Sequence, residues 1–262
     1  MDYDGYIPDR FMLYIFDLDG TLLDSLADLT LSVNILLRRC ELPPVGSETV
    51  RRCVGTGARN LLFRAFIFSA KQAVAEMSSD DLYRLDNCLS EIIWSDVLDD
   101  PDPLTANERA DRYPLFDTLI TQMLPGYQTI YLQHCTDNTS FYPGIRSWLD
   151  TLLTRGKTLA VLSNKPDAAA KKIISALKAD GLFSVIMGPD RIQTLKPDPA
   201  GIFSIMTETE IPADKTLMIG DSAIDIATGK NAGVAACGIT GGLGSEAELT
   251  GVNPDIVIRR RE

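Results

Sequence analysis

Apolar residues recur along this chain with two different periods, and the change from one to the other divides it. Residues 11–16, FMLYIF, are an unbroken apolar run ending at Asp17. Such a run suits a strand buried on both faces, as in a parallel sheet. Gly20 and Thr21 turn the chain, and Asp24 or Ser25 is placed to cap a helix with Leu26, Leu29, Val33, Leu36 and Leu37 at helical spacing. From 47 to 139 the pattern is mainly helical, without convincing strand alternation. Within it SDVLDDPDPLTANERADRYP, acidic and proline-bearing, reads as a loop or an insertion.

The pattern changes at the YPG of 142–144. A helix over 145–155 leads to a strand at 158–162, a helix opening at Pro166, and a short strand at 184–187. A helix over 199–208, a strand at 216–219, a helix over 222–231 and strands at 234–237 and 255–258 follow. Strand–helix alternation predicts right-handed crossovers and a parallel sheet. The first strand is separated from that sheet by a long helical block, which an insertion explains most simply. The expected fold is therefore α/β. Segments 1–24 and 142–262 form a Rossmann-like parallel-sheet core covered by helices on both faces, and 25–141 form an inserted all-helical cap domain.

Composition changes this picture in three places. The formal charge of −11 repels nucleic acid and anionic membranes, so neither is an expected partner. It also repels phosphorylated substrates, so any chemistry on them needs a local cationic centre. The five cysteines (Cys40, Cys53, Cys88, Cys135 and Cys237) are scattered, odd in number and without a CxxC, and they read as reduced. His134 is the only histidine, which excludes His-rich metal sites and argues against a Ser-His-Asp triad. No apolar run approaches the ~18 residues of a membrane helix. MDYDGYIPDR lacks a basic stretch followed by an apolar one, so no signal peptide and a cytoplasmic location are expected.

In sheets of this kind ligands bind beyond the carboxyl ends of the strands, and four strand ends here supply polar groups. They are DLDGT at 17–21, SNK at 163–165, KPDP at 196–199 and GDS at 220–222, with Asp225 one helical turn later. Each alone also reads as a polar turn, a helix cap or an exposed loop; it is their joint position after successive apolar strands that points to a site. Asp17, Asp19, Asp221 and Asp225 would crowd together, and carboxylates that close need compensation. A hard divalent cation answers this need, and Mg2+ suits few carboxylates plus phosphate and water. With Lys196 it would supply the local cationic centre. A carboxylate attacks a phosphate dianion only when charge is neutralised and the groups are aligned. Asp19 is placed to protonate a leaving oxygen and then deprotonate water. Ser163, with main-chain N–H groups near it and at Leu18, can hold phosphoryl oxygens, and Gly20, Thr21 and Asn164 are expected beside them.

FDLDGTLLDS, LSNK, LKPDP and GDSAIDIATGKNAG resemble, in order, the four motifs of the haloacid dehalogenase-like hydrolase superfamily. The resemblance implies Asp17 as nucleophile, Asp19 as acid/base, Ser163 as phosphoryl ligand and Lys196 as neutralising cation. It implies Mg2+ on Asp17, the Asp19 carbonyl and Asp221, with Asp225 as outer support. The second aspartate matches the phosphatase branch. VGTGARNLLFRAF at 54–66 and FYPGIRSWLDTLLTRGKTLAVLSNKP are similar to phosphoglycolate phosphatases, which implies a small phosphorylated metabolite, 2-phosphoglycolate, as substrate and a monomer or homodimer. One departure is a longer helical block, with extra sequence within about 77–122. In the cap, Gly57 and Arg59 are the candidate carboxylate site, at a helix start that favours an anion; the other reading of Arg59 is a solvated residue of that helix. A phosphosugar mutase using the same aspartates, another sugar-phosphate, nucleotide or pyrophosphate phosphatase, and a catalytically idle regulatory binding protein are the alternatives.

Overall fold

The computed structural model describes residues 7–75, 109 and 111–260. The chain divides into two compact units, one of Met1–Leu26 with Cys135–Glu262 and one of Ala27–His134. The first unit holds a six-stranded sheet of β1 (Leu13–Phe16), β4 (Thr158–Leu162), β5 (Val185–Met187), β6 (Thr216–Gly220), β7 (Ala235–Thr240) and β8 (Ile256–Arg259). Its order is β5-β4-β1-β6-β7-β8, and every pair is parallel. A separate two-stranded ribbon pairs β2 (Leu23–Asp24) with β3 (Ser140–Phe141) antiparallel.

β1 is central because every one of its residues is apolar and buried, so it can be packed from both sides. Strand alternation sends Leu13 and Ile15 one way, into a cluster with Ile202 and Ile205 of the helix Ala200–Thr209. Tyr14 and Phe16 point the other way, where Phe16 meets Trp148 of the helix Ile145–Thr154 edge-on at 5.3 Å. Helices therefore cover both faces, as the alternation predicts. The helix Ala223–Asn231 packs on β6 and β7. The chain visits β4 and β5 on one side of β1, then returns to its other side at β6. The winding reverses there, so the crevice at the carboxyl ends of β1 and β6 is the expected ligand position.

The second unit is helical among its described residues: Leu26–Arg39 (whose first residue belongs to the sheet unit), Ser47–Arg51, Ala58–Ala75 and Pro114–His134. Phe63 packs against Phe116 at 4.8 Å and Tyr113 at 5.8 Å. Of the predicted acidic loop, 95–108 and 110 lie outside the described residues; Arg109, Asp111 and Arg112 are helical and Pro114 opens a helix. The extra sequence within about 77–122 is likewise only partly described.

Two features go beyond the expectations. Ser25, directly before the helix Leu26–Arg39, donates its hydroxyl to Asp19, 2.5 Å away. The β2–β3 ribbon has no sequence signal, because two residues per strand are too few to show a period. Cys40, Cys53, Cys135 and Cys237 are free thiols, as expected; Cys88 is outside the described residues. Among the described residues no helix is long and apolar enough to cross a membrane.

Candidate active site

Asp17 follows β1 directly, and Asp221 follows β6 directly. Because Phe16 and Ile219 are paired in register, the two aspartates leave the sheet side by side. Asp225 comes from the first turn of the helix Ala223–Asn231, where Ser222 and Asp225 form a reciprocal capping box. One carboxylate oxygen from each of Asp17, Asp221 and Asp225 lies within 4.8 Å of the others. Lys196 reaches this cluster from the loop after β5, with Nζ 2.7 Å from Asp17 Oδ1 and 2.5 Å from Asp225 Oδ1. All four side chains are buried.

One ammonium group cannot neutralise three buried carboxylates. Burial, opposed by Lys196 and helped by Asp225, Asp221 and Asp19, pushes Asp17 up to about 7. Burial and then Asp225 push Asp221 up to about 6, against hydrogen bonds from Gly244, Thr21 and Leu243. Burial alone would lower Lys196; the carboxylates of Asp17 and Asp225 outweigh it and hold the ammonium charged well above its ordinary range. The cluster thus retains excess negative charge at neutral pH. Three oxygen donors converging in a buried, anionic place fit a hard divalent cation such as Mg2+.

Asp19 stands apart from that cluster in its partners. Its Oδ2 pairs with Lys165 Nζ at 3.0 Å and its Oδ1 accepts from Ser25. Ser163 Oγ accepts from the Lys165 main-chain N–H at 3.3 Å, and the Ser163 N–H donates to Met187 across β5. Leu18 is buried, and its carbonyl accepts from the N–H groups of Leu22 and Leu23, closing the loop after β1.

Several residues expected beside phosphate are used to build the site. The Asn164 amide accepts from the Lys196 N–H at 2.7 Å and donates to the Lys196 carbonyl at 3.2 Å, so it holds the lysine's backbone. The Thr21 hydroxyl donates to Asp221 Oδ1 at 2.9 Å. Gly20 has φ +87°, and a Cβ there would fall 2.1 Å from Asp221 Oδ2; its missing side chain makes room for that carboxylate. Asp221 Oδ2 also accepts from the N–H groups of Leu243 and Gly244 at 2.8 and 2.9 Å.

Gly57 and Arg59 belong to the helical unit. Gly57, at φ +90°, turns the chain into the helix Ala58–Ala75. Arg59 Nη2 donates to Asp117 Oδ2 at 2.5 Å and to Thr121 Oγ1 at 2.6 Å, and Arg109 binds the other oxygen of Asp117 and the Asn60 side chain. The candidate carboxylate ligand is thus committed to a carboxylate of its own unit. His134 ends the last helix of that unit.

Sequence reasoning missed Lys165 and Ser25 on Asp19 and the two amides on Asp221. Lys165 had a signal, since a lysine inside SNK is a cation placed at an acidic strand end. The amides had none, being main-chain groups of a loop after β7.

The model of the haloacid dehalogenase-like hydrolase family matches residues 14–88 and 104–239. The phosphoglycolate phosphatase of Haemophilus influenzae (strain 86-028NP) is 30% identical over 248 residues, covering 95% of this chain and 94% of that protein. The phosphoglycolate phosphatase of Pseudomonas savastanoi pv. phaseolicola is 31% identical over 256 residues, covering 98% of this chain and 78% of that protein. Among solved structures, a predicted phosphoglycolate phosphatase from Haemophilus somnus 129pt has a TM-score of 0.71 and 28% identity, with 95% of this chain and 93% of that chain covered. With the sheet, the ordered strand-end groups and these relatives in agreement, the chain belongs to the haloacid dehalogenase-like hydrolase family, as one of its phosphatases.

Proposed function

We propose that this protein hydrolyses a small phosphorylated metabolite, 2-phosphoglycolate before others, through a phospho-aspartate on Asp17. The observation that carries the reading is the division of labour between two aspartates on one short loop. Asp17 sits in the buried carboxylate cluster against Lys196, whereas Asp19 has its own partners, Ser25 and Lys165.

Asp17 attacks phosphorus, and the bond from phosphorus to the leaving oxygen breaks. Asp19 acts as the general acid that gives that oxygen its proton. The carboxylate so formed then takes a proton from water, whose oxygen attacks the phosphoryl group and frees Asp17 and inorganic phosphate. Lys196 keeps a positive charge at the attacking oxygen throughout. The Ser163 hydroxyl and the main-chain N–H of Leu18 hold equatorial oxygens, and Asn164 fixes Lys196 rather than the phosphate. Asp17, the Asp19 carbonyl and Asp221 would hold Mg2+, with Asp225 in support; when bound, Mg2+ supplies charge that neutralises nucleophile and phosphate together. The substrate assignment rests on similarity to the two phosphoglycolate phosphatases above.

The test is a panel of phosphorylated metabolites given to the purified protein with Mg2+, followed by acid quench of turnover with radiolabelled substrate. Phosphoglycolate should lead the panel, and acid-stable label should lie on the peptide carrying Asp17. Label elsewhere would end the mechanism, and turnover of other esters without phosphoglycolate would end the substrate assignment alone. A requirement for a sugar bisphosphate would move the reading to a mutase.

A further inference from the structure

Arg260, directly after β8, reaches back across the sheet unit to the loop that follows the nucleophile strand. Its Nη2 donates to the Thr21 carbonyl at 2.6 Å. Its Nη1 is shared between the Gly20 carbonyl at 3.1 Å and the Gly241 carbonyl at 3.0 Å. The guanidinium lies over the Tyr142 ring, 3.6 Å from its centroid, and the Tyr142 N–H in turn donates to the Leu22 carbonyl at 3.0 Å. One planar group therefore ties the loop after β1, the loop after β7 and the exit of β3, by a fork that lysine cannot reproduce.

The two loops it joins are the two that grip Asp221. Thr21 Oγ1 donates to one carboxylate oxygen, and the N–H groups of Leu243 and Gly244 donate to the other. Where the loops touch there is no slack. A Cβ on Gly242 would lie 2.4 Å from both the Gly20 carbonyl and Asp221 Oδ2. A small separation of the loops would withdraw donors from both sides of Asp221 at once.

We propose that Arg260 is a positioning residue, clipping these two loops together so that Asp221 is held for a divalent cation. The inference rests on the reading of Asp221 as a metal ligand. The bonds of Arg260 run to main-chain carbonyls of Thr21, Gly20 and Gly241, and it acts through them. Groups of this kind typically change metal affinity about 10–100-fold when removed.

The experiment is calorimetric titration of metal-free protein with magnesium alone, for the wild type, Arg260→Ala, Arg260→Lys and Asp221→Asn, well below each variant's melting temperature. Arg260→Ala should weaken magnesium binding about ten-fold or more, and Arg260→Lys, which keeps the charge but loses the fork, should weaken it by less. In steady-state assays the kcat of Arg260→Ala should recover as magnesium is raised, which general loss of stability would not produce. If Asp221→Asn loses affinity but both Arg260 variants bind as the wild type does, the clip is refuted and the reading of Asp221 stands. If Asp221→Asn also binds like the wild type, that reading falls and the clip falls with it. Should Arg260→Ala fail to fold, Arg260→Lys decides on the same comparison.

Discussion

The two units each contain a buried charge cluster, and the clusters are of opposite sense. In the sheet unit four carboxylates (Asp17, Asp19, Asp221 and Asp225) meet two ammonium groups, those of Lys165 and Lys196. In the helical unit one carboxylate, Asp117, meets two guanidinium groups, those of Arg59 and Arg109. The first has an excess of two negative charges and pushes two of its own acids towards protonation. In the second, Asp117 ties the two guanidinium groups together, and Arg59 is a third exposed, so water screens it. A cluster that only supports a fold is completed by its own side chains and solvent. A cluster in which buried carboxylates outnumber their cations has a need that a divalent cation would meet, and that difference separates the two clusters.

The same substitution at a buried aspartate in each cluster should sharpen the contrast most. Asp17→Asn should lower kcat about 10³-fold or more, some 4 kcal/mol of transition-state stabilisation, while the melting temperature in chelator stays equal or rises. Asp117→Asn should do the reverse. It removes the carboxylate that Arg59 and the buried Arg109 share, for a loss of about 3 kcal/mol in stability with turnover per folded molecule within a few-fold of the wild type. Thermal melts and steady-state rates on the two variants give the answer; a stable but inactive Asp117→Asn would erase the distinction.

The pH dependence of stability follows from the sheet cluster. Asp17 and Asp221 titrate near 7 and 6 in the folded chain, against an ordinary value of 3.8. The folded state therefore holds these protons more tightly than the unfolded one. Their contribution is fully present below about pH 4 and is lost as pH rises through 6 to 7. Melting of metal-free protein should reflect this loss, and the rise in melting temperature on adding magnesium should be larger at pH 7.5 than at pH 5. An increment independent of pH would mean that magnesium binds away from these acids.

Arg59→Ala should give the smallest effect. Its Nη2 is held by Asp117 and Thr121, so kcat/KM should fall about equally, and by less than about five-fold, for phosphoglycolate and p-nitrophenyl phosphate. A loss confined to phosphoglycolate would instead make Arg59 the ligand of the substrate carboxylate.

The parts legible in the sequence were those set by local pattern. The strand over 158–162 is where the apolar run placed it, and the polar ends of β1, β4 and β6 meet because a parallel sheet brings carboxyl ends together, while Lys196 joins them from beyond a short helix after β5. What stayed illegible depends on register between distant segments. Thr21 meets Asp221 across two hundred positions, and Arg260 meets Gly20 across two hundred and forty. Nothing in the run of three arginines at 259–261 marks which of them makes such a contact. Nor does the spacing of VGTGAR tell whether Arg59 faces a ligand or a neighbouring helix, because the answer lies in Asp117, fifty-eight residues on.

The ribbon of β2 and β3 has a consequence for how such a chain can change over evolutionary time. Leu23 pairs with Phe141 and Asp24 with Ser140, so the points where the inserted segment leaves and rejoins the sheet unit are hydrogen-bonded neighbours, roughly 5 Å apart. Everything between them in sequence joins the sheet unit through these two paired strands. A segment inserted this way can be lengthened, trimmed or exchanged wholesale with little added closure entropy, and without re-threading the sheet or displacing the nucleophile strand. Selection can therefore try new recognition surfaces on an old reaction without altering the strands that carry it.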